Sequence, residues 1–336
     1  MQLTDYTTEI ITLIKNNPDK AIDALKNKKT QNQFIAFCKN EKILPFVIYK
    51  LLAHDNKLSN MSELIEIKNL YIFDYLRKVR SLIHLARKFE SSNIEYVVLK
   101  GLSVNAYYPK EELRYFSDLD ILVKPNDIQR SFDVLKDCGF RYAKHDICDS
   151  TIGSKKYSRH LPEMINSDGI IVELHHRVTS PITYNSCPLM KACLQSKVQK
   201  KIANNYLNLL PPDMSFVVTA YHGADQFKQI TDLRFLIDLL ILEDKTETSI
   251  FYIKEKYSLM LTQGEIDKAH LYLSRLKNLT TMKKNKSYFL PPLNIGVRHY
   301  LKRAMLVFHQ ISYEKQIHIH DVKIKHVINR VNTKFP

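Results

Sequence analysis

The sequence predicts an α/β (α+β) protein, with a small mixed-sheet core set between an N-terminal and a C-terminal helical region. Three observations carry that prediction. Three short β-type runs lie between residues 94 and 175, separated by helix-like stretches. On both sides of them apolar residues recur at helical spacing. The whole chain holds only 7 Gly in 336 residues, which disfavours folds built on many tight turns and any glycine-rich phosphate cradle.

Residues 1–92 read as helices. Ile10, Ile11, Leu13 and Ile14 form an amphipathic run, which Asn17-Pro18-Asp19 interrupts with a Pro suited to a helix start. A second run passes through Ile22, Ala24 and Leu25, and a third covers Ile43 to Leu52. A long one extends from Met61 to Phe89, with apolar positions such as Leu64, Ile67, Leu76, Val79, Leu82 and Leu85. No polar groups in this region converge on a chemistry.

Residues 93–185 form the α/β core. Ile94 to Leu99 is a β-type run between Ser91-Ser92-Asn93 and Lys100-Gly101. A short helix is expected from Leu102 to Tyr108, ended by Pro109, and a second strand at Leu119 to Val123. Asn126 is placed to cap a helix from Ile128 to Cys138, which Gly139 ends. Ser167-Asp168-Gly169 then turns the chain into a third strand, Ile170 to His175.

Residues 186–336 read as helical, with a basic end. Candidate helices are Leu189 to Leu194, Met214 to Phe227, Leu233 to Leu242, Ile250 to Leu261 and Glu265 to Leu276. From Lys283 to Pro336 there are eleven Lys and Arg against Glu314 and Asp321. The full chain has 50 basic and 35 acidic residues, a formal charge of 50 − 35 = +15.

With 45% hydrophobic and 25% charged residues, the composition excludes a disordered or fibrous chain. The first residues show no basic start followed by an apolar run, so no secretory signal is expected. The longest apolar stretch, Phe235 to Leu242, contains Asp238 and is far short of the ~20 residues a membrane span needs. Cys38, Cys138, Cys148, Cys187 and Cys193 make no C-x-x-C pair, so reduced thiols and a cytoplasmic protein are expected.

The chemistry starts at Asp118 and Asp120. At i, i+2 on a strand both carboxylates share one face, while Leu119 and Ile121 point the other way into the core. Two adjacent carboxylates held ionised need a cation, and Mg2+ accepts such a pair while keeping ligands for water and phosphate. Glu173, an acid between Val172 and Leu174, either faces solvent or joins that site. Lys100-Gly101-Leu102-Ser103 lies where a strand meets a helix, a place suited to an anion, with Lys100 as a point charge. Together these residues predict a phosphoryl or nucleotidyl transfer site. An Asp-x-Asp pair alone also suits a glycosyltransferase that holds a nucleotide-sugar through a metal, but that scheme gives Lys100 and Glu173 no role. A non-catalytic RNA- or partner-binding protein is the third reading.

The segments Val98 to Ser103 and Leu113 to Val123 resemble the core motif of nucleotidyltransferases of the DNA polymerase β superfamily. More closely, they resemble its bacterial branch of uncharacterised nucleotidyltransferases. Val172-Glu173-Leu174-His175-His176-Arg177 matches the third-acid strand of that branch, with His176 in the aromatic place. His222-Gly223 and Leu233-Arg234-Phe235-Leu236-Ile237-Asp238 are similar to its helical motif, where Trp usually stands at Phe235. The likeness covers roughly residues 85 to 245. Two departures affect how nucleotide is held: Gly101 is followed by Leu102 rather than Gly or Ser, and sixteen residues separate Gly101 from Asp118.

The resemblance implies a polymerase-β-like nucleotidyltransferase core. Asp118 and Asp120 would bind both ions of a two-metal site and Glu173 would complete it, as ligand or as base. These three would thus be the metal ligands and catalytic acids, with Mg2+ or Mn2+ as cofactor and an NTP as substrate. Lys100, Gly101 and Ser103 would hold the triphosphate, and Arg114 would add a cation there. A surface pair of Arg114 with Glu111 or Glu112 fits that arginine equally well. His175 would orient Glu173 or be structural, and Arg177 and His222 belong to the matching motifs. Arg234 and Asp238, four apart on a helix, read first as an intrahelical ion pair and second as contacts to nucleotide or acceptor. The acceptor is open. Tyr288, Phe289, Tyr300 and Phe308 within the basic end suit RNA, and a solvated helix face explains that end equally well. A protein hydroxyl, a sugar phosphate or an antibiotic-like molecule would serve the same site.

Overall fold

The computed structural model describes residues 4–14, 17–55, 58, 62–143, 159–178, 188–226 and 233–246. The candidate helices Ile250 to Leu261 and Glu265 to Leu276, and the basic end, lie outside the described residues. The N-terminal region folds into α1 (Thr4–Ile14), α2 (Asp19–Leu25), α3 (Lys28–Asn40), α4 (Leu44–His54) and α5 (Ser62–Ser91). The expected break at Pro18 separates α1 from α2. The sequence gives little sign of α3, because its buried Gln31, Phe34, Phe37 and Cys38 are diluted by Lys and Asn. Asn27 starts this helix by accepting a hydrogen bond from the Lys29 amide at 2.9 Å.

After α5 come β1 (Tyr96–Val98), α6 (Lys100–Asn105), β2 (Asp118–Val123), α7 (Ile128–Asp137), β3 (Arg141–Tyr142), β4 (Met164–Ile165) and β5 (Ile171–His175). Then follow α8 (Pro188–Ser196), β6 (Val198–Ile202), β7 (Asn205–Leu209), α9 (Pro212–Gln226) and α10 (Leu233–Thr246). Three details differ from the sequence reading. Helix α6 begins at Lys100 and ends at Asn105, short of Tyr108. A 3-10 turn, Pro125–Asp127, precedes α7, so Asp127 rather than Asn126 stands at its N-cap. And the chain beyond residue 186 is not helical throughout, since β6 and β7 form a hairpin there.

Among the described residues seven strands form one mixed sheet, ordered β3-β4-β5-β2-β1-β7-β6. Central β2 runs antiparallel to β1, with Val97 opposite Leu122, and parallel to β5, with Asp120 opposite Glu173. Alternation along these strands serves two cores. Tyr96, Val98, Leu119, Ile121, Val123, Val172 and Leu174 pack with α5 and α7 on one face. Val97, Leu99 and Leu122 face the other core, which joins α1–α4 to α8–α10. Asp118, Asp120, Glu173 and His175 share the parity of that second face and meet where its apolar packing ends. No helix among the described residues is long and apolar enough to cross a membrane.

Candidate active site

The site forms where β1 ends and where β2 and β5 begin. Parallel pairing in register sets Asp120 beside Glu173, and the i, i+2 rule brings Asp118 and His175 onto the same face. Asp120 is 3% exposed and is satisfied from two sides. Lys100 Nζ donates to its Oδ1 at 2.7 Å, and His175 Nε2 lies 2.8 Å from the same oxygen. His175 Nε2 is also 3.2 Å from Glu173 Oε2, so one imidazole bridges the two acids. His160 Nε2 stands 3.9 Å from Glu173 and its ring lies 5.0 Å from that of His175.

Lys100 takes φ +42°, a left-handed conformation that L side chains avoid. Leu99 N–H donates to the Asp120 carbonyl at 2.9 Å, which extends the β1–β2 ladder up to the bend. Gly101 follows, and a Cβ there would meet the Phe116 ring at 3.3 Å, so a larger residue would need that ring to give by a few tenths of an ångström. Phe116 is itself held, because the buried Lys78 of α5 donates to its carbonyl and lies over the Tyr115 and Phe116 rings. The loop that delivers Asp118 is thus anchored by a helix in which the sequence reading saw no polar convergence.

These environments push the carboxylates apart. Burial, then the charges of Asp120 and Glu173, raise the Asp118 carboxyl above its ordinary range. Burial would raise Asp120 too, but Lys100 and His175 hold it well below. Glu173, similarly buried, is kept low by its hydrogen bond to His175. Asp118 is therefore an acid between like charges, and the cluster fits an added cation. Asp120, Glu173 and His175 offer ligand atoms within 4.8 Å of one another.

A cavity of about 280 Å3 opens over the acids. Lys100, Gly101, Phe116, Ser117, Asp118, Asp120 and Glu173 line it from the sheet. Thr219, His222, Arg234 and Phe235 line it from α9 and α10, Arg159 and Glu163 from the chain before β4 and its edge, and Lys42 from the turn between α3 and α4. Burial, then the charges of Lys100 and Arg159, push His222 well below the ordinary imidazole range, so it is neutral at pH 7. Its ring packs edge-on to Phe235 at 5.6 Å, and the Arg234 guanidinium lies over the Phe235 ring, 4.9 Å from its centroid.

Two residues expected at the triphosphate have other work. Ser103 is fully buried, accepts from the Leu210 amide at 2.9 Å and lies 3.4 Å from Ser215 Oγ. It faces the α9 side of α6, not the cavity. Arg114 reaches the cavity wall, but its Nε and Nη2 donate to Asp238 at 2.7 and 2.8 Å. Its partner is neither Glu111 nor Glu112; Glu111 takes a hydrogen bond from the Tyr75 hydroxyl. A guanidinium only 5% exposed requires a buried anion, and Asp238, at 0%, supplies it. Tyr108 donates to the same carboxylate at 2.6 Å. Asp238 thus meets Arg114 across the fold, where the sequence had suggested its helical neighbour Arg234. Arg177 and Asp238 lie outside the cavity lining. The sequence missed Lys42, Lys78, Arg159 and His160, none of which stands in a motif. His160 reaches the site through a β-bridge to His175 across the sheet edge, a pairing that no local sequence signal announces.

Paired strand acids beside a lysine, at the mouth of a mixed sheet, are the arrangement that the sequence's resemblance to nucleotidyltransferases implies. Comparison with family models agrees: the uncharacterised nucleotidyltransferase model matches residues 27–261, and the chain belongs to that family. No curated protein matches the sequence. Solved structures similar to it include the antibiotic-resistance factor ANT(2″)-Ia in solution, at 11% identity over 61% of this chain and 95% of that one, with a TM-score of 0.38. The lincomycin-bound lincosamide antibiotic adenylyltransferase LnuA is similar at 13% identity over 50% and 97%, TM-score 0.35. An antigenic nucleotidyltransferase-like protein from Paracoccidioides brasiliensis is similar at 16% over 61% and 93%, TM-score 0.37.

Proposed function

We propose that the protein moves an NMP group from an NTP to an acceptor hydroxyl and releases pyrophosphate, in a reaction dependent on Mg2+ or Mn2+. The observation that carries this reading is the register of β2 and β5, which gathers Asp118, Asp120 and Glu173 at one cavity beside Lys100. The three acids would hold the metal, and oxygen donors of this kind suit Mg2+. When bound, the ion supplies charge neutralisation at the transferred phosphoryl group. Lys100 and the Gly101 backbone seat the phosphates, and the Asp120 contact keeps the Lys100 ammonium aimed at them. The acceptor oxygen bonds to the α-phosphorus as the bond to the bridging oxygen breaks. Glu173, oriented by His175, receives the acceptor's proton, and the electron pair leaves with pyrophosphate. A glycosyltransferase reading assigns no role to Lys100 or Glu173.

The test incubates the full chain with each of four α-32P-labelled NTPs, Mg2+ or Mn2+, and a host lysate. Products are separated into RNA, protein and small-molecule fractions. Label in one fraction that disappears with Asp118→Asn/Asp120→Asn supports the reading and gives the acceptor class. A folded protein that binds neither NTP nor metal overturns it.

A further inference from the structure

The turn between α3 and α4 reaches the cavity over the acids, although it lies about fifty residues before the first strand. Lys42 in this turn lines the cavity and is exposed there. Its backbone stands at φ +58°, the left-handed region that L side chains avoid. The surroundings impose it. Lys42 N–H donates to the Lys39 carbonyl at 3.0 Å and Ile43 N–H to the Cys38 carbonyl at 2.9 Å. Ile43 and Leu44 are then drawn at once into the core, at 2% exposure each. Of the two lysines that line the cavity, the other, Lys100, is held in the same unusual backbone region.

A second bond fixes where Lys42 stands. Glu41 Oε2 accepts from the Leu233 amide at 3.2 Å, and so caps the start of α10 from 192 residues away. Lys42 and Arg234 each follow this bond by one residue, and both line the cavity. The joint between the N-terminal turn and α10 therefore brings two cations to the lining of the cavity that also holds Asp118 and Asp120.

Charge decides what that lining takes. Lys42, Lys100, Arg114, Arg159 and Arg234 stand in the lining against Asp118, Asp120, Glu163 and Glu173. With a divalent ion on Asp118, Asp120 and Glu173, the remaining lining is net positive and suits a polyanion. Transfer requires the α-phosphorus against the acids, so the rest of the phosphate tail must run away from them along the wall.

We propose that Lys42 and Arg234 form a two-cation clamp on the polyphosphate tail of the NTP, which makes the N-terminal helices part of the active site. This rests on the nucleotidyl-transfer reading above. The clamp binds and orients, and no bond changes at it.

The test measures binding of the NTP that wild type holds most tightly, and of its NMP, to the full chain by calorimetry with Mg2+ and no acceptor. Lys42→Ala and Arg234→Ala each weaken the NTP about tenfold or more and leave the NMP within about twofold, as expected for one charge-assisted contact. Lys42→Arg keeps most of the affinity. Lys42→Gly loses it like Lys42→Ala while its thermal midpoint stays level or rises, because glycine accepts the backbone conformation. Wild-type NTP affinity in both Lys42→Ala and Lys42→Gly overturns the clamp, and so does an equal loss for NTP and NMP. If wild type binds no NTP at all, the nucleotidyl-transfer reading itself has failed.

Discussion

Asp118 and Asp120 sit one residue apart on one strand face, yet their surroundings drive their ionisation in opposite directions. Lys100 and His175 both serve Asp120, which leaves Asp118 to bear the repulsion of its neighbours. Without divalent metal, Asp118→Asn should therefore raise the thermal midpoint by about 2 °C, since it removes a partly buried like charge. The same variant should lose the rise in midpoint on adding Mg2+ or Mn2+, and transfer on the order of 10³-fold. A lower midpoint in metal-free buffer would mean that Asp118 is held by attraction. The Arg114–Asp238 pair makes the opposite case. Arg114→Ala strands the Asp238 carboxylate in the core and should cost about 3–5 kcal/mol in urea unfolding. Arg114→Met/Asp238→Leu with Tyr108→Phe should recover most of that, because no buried charge or hydroxyl is left unmatched. The acid cluster was legible in the sequence because strand alternation alone sets its face. The partners of Ser103 and Arg114 were not, since Leu210 and Asp238 lie more than a hundred residues away and only the packing of α6 on α9, and of α9 on α10, brings them near.

The hairpin of β6 and β7 shows where local signals fail. Val198–Ile202 has apolar residues only at its two ends, as suits a solvent-facing edge strand, so no alternation announces it. Its turn uses Ala203 and Asn204, at φ +44° and +64°, without the Asn-Gly pair that signals such turns. The strands β1, β2 and β5 were legible because their apolar runs serve buried faces. One electrostatic joint ties the hairpin to them: Glu95, just before β1, takes Lys124 Nζ at 2.7 Å and also Lys197, just before β6. Hydrogen bonds from Lys124 and Lys197 hold its carboxyl below the ordinary range. A depressed acid contributes stability that is present above its unfolded pKa, about 4.3, and is lost as pH falls through the folded value. Urea midpoints of wild type should accordingly fall faster below about pH 4.5 than those of Glu95→Gln. The variant should be the weaker protein at pH 7 and converge with wild type as the pH falls through the folded value of Glu95. Parallel curves would remove Glu95 from the acid response.

At the scale of the whole molecule, the three stretches that the sequence separates by texture share their packing. The helices before residue 55 and those after 188 belong to one core, over the sheet face that carries the acids. Phe46 of α4 meets Tyr108 edge-on at 5.9 Å, Tyr108 binds Asp238 of α10, and Glu41 caps α10. Composition shifts mark where helix gives way to strand, but they carry no information on which helices pack together, so this sharing was not legible. It has a consequence for truncation. Removing residues 1–61 would take Phe34, Phe37, Val47, Ile48 and Leu51 from that core, all buried, along with further apolar side chains. At about 1.5–3 kcal/mol for each buried side chain, the loss rivals the 5–15 kcal/mol by which a whole domain is stable. It would also bare the face of Tyr108 that Phe46 covers and leave the rest of that core open to aggregation. A chain starting at Ser62 should therefore be insoluble, or soluble without near-UV circular dichroism or a cooperative transition. If it instead unfolds cooperatively with a native near-UV signal, the sheet and C-terminal helices form a core that does not need α1–α4. The N-terminal helices would then be an attachment to the active site rather than part of its foundation.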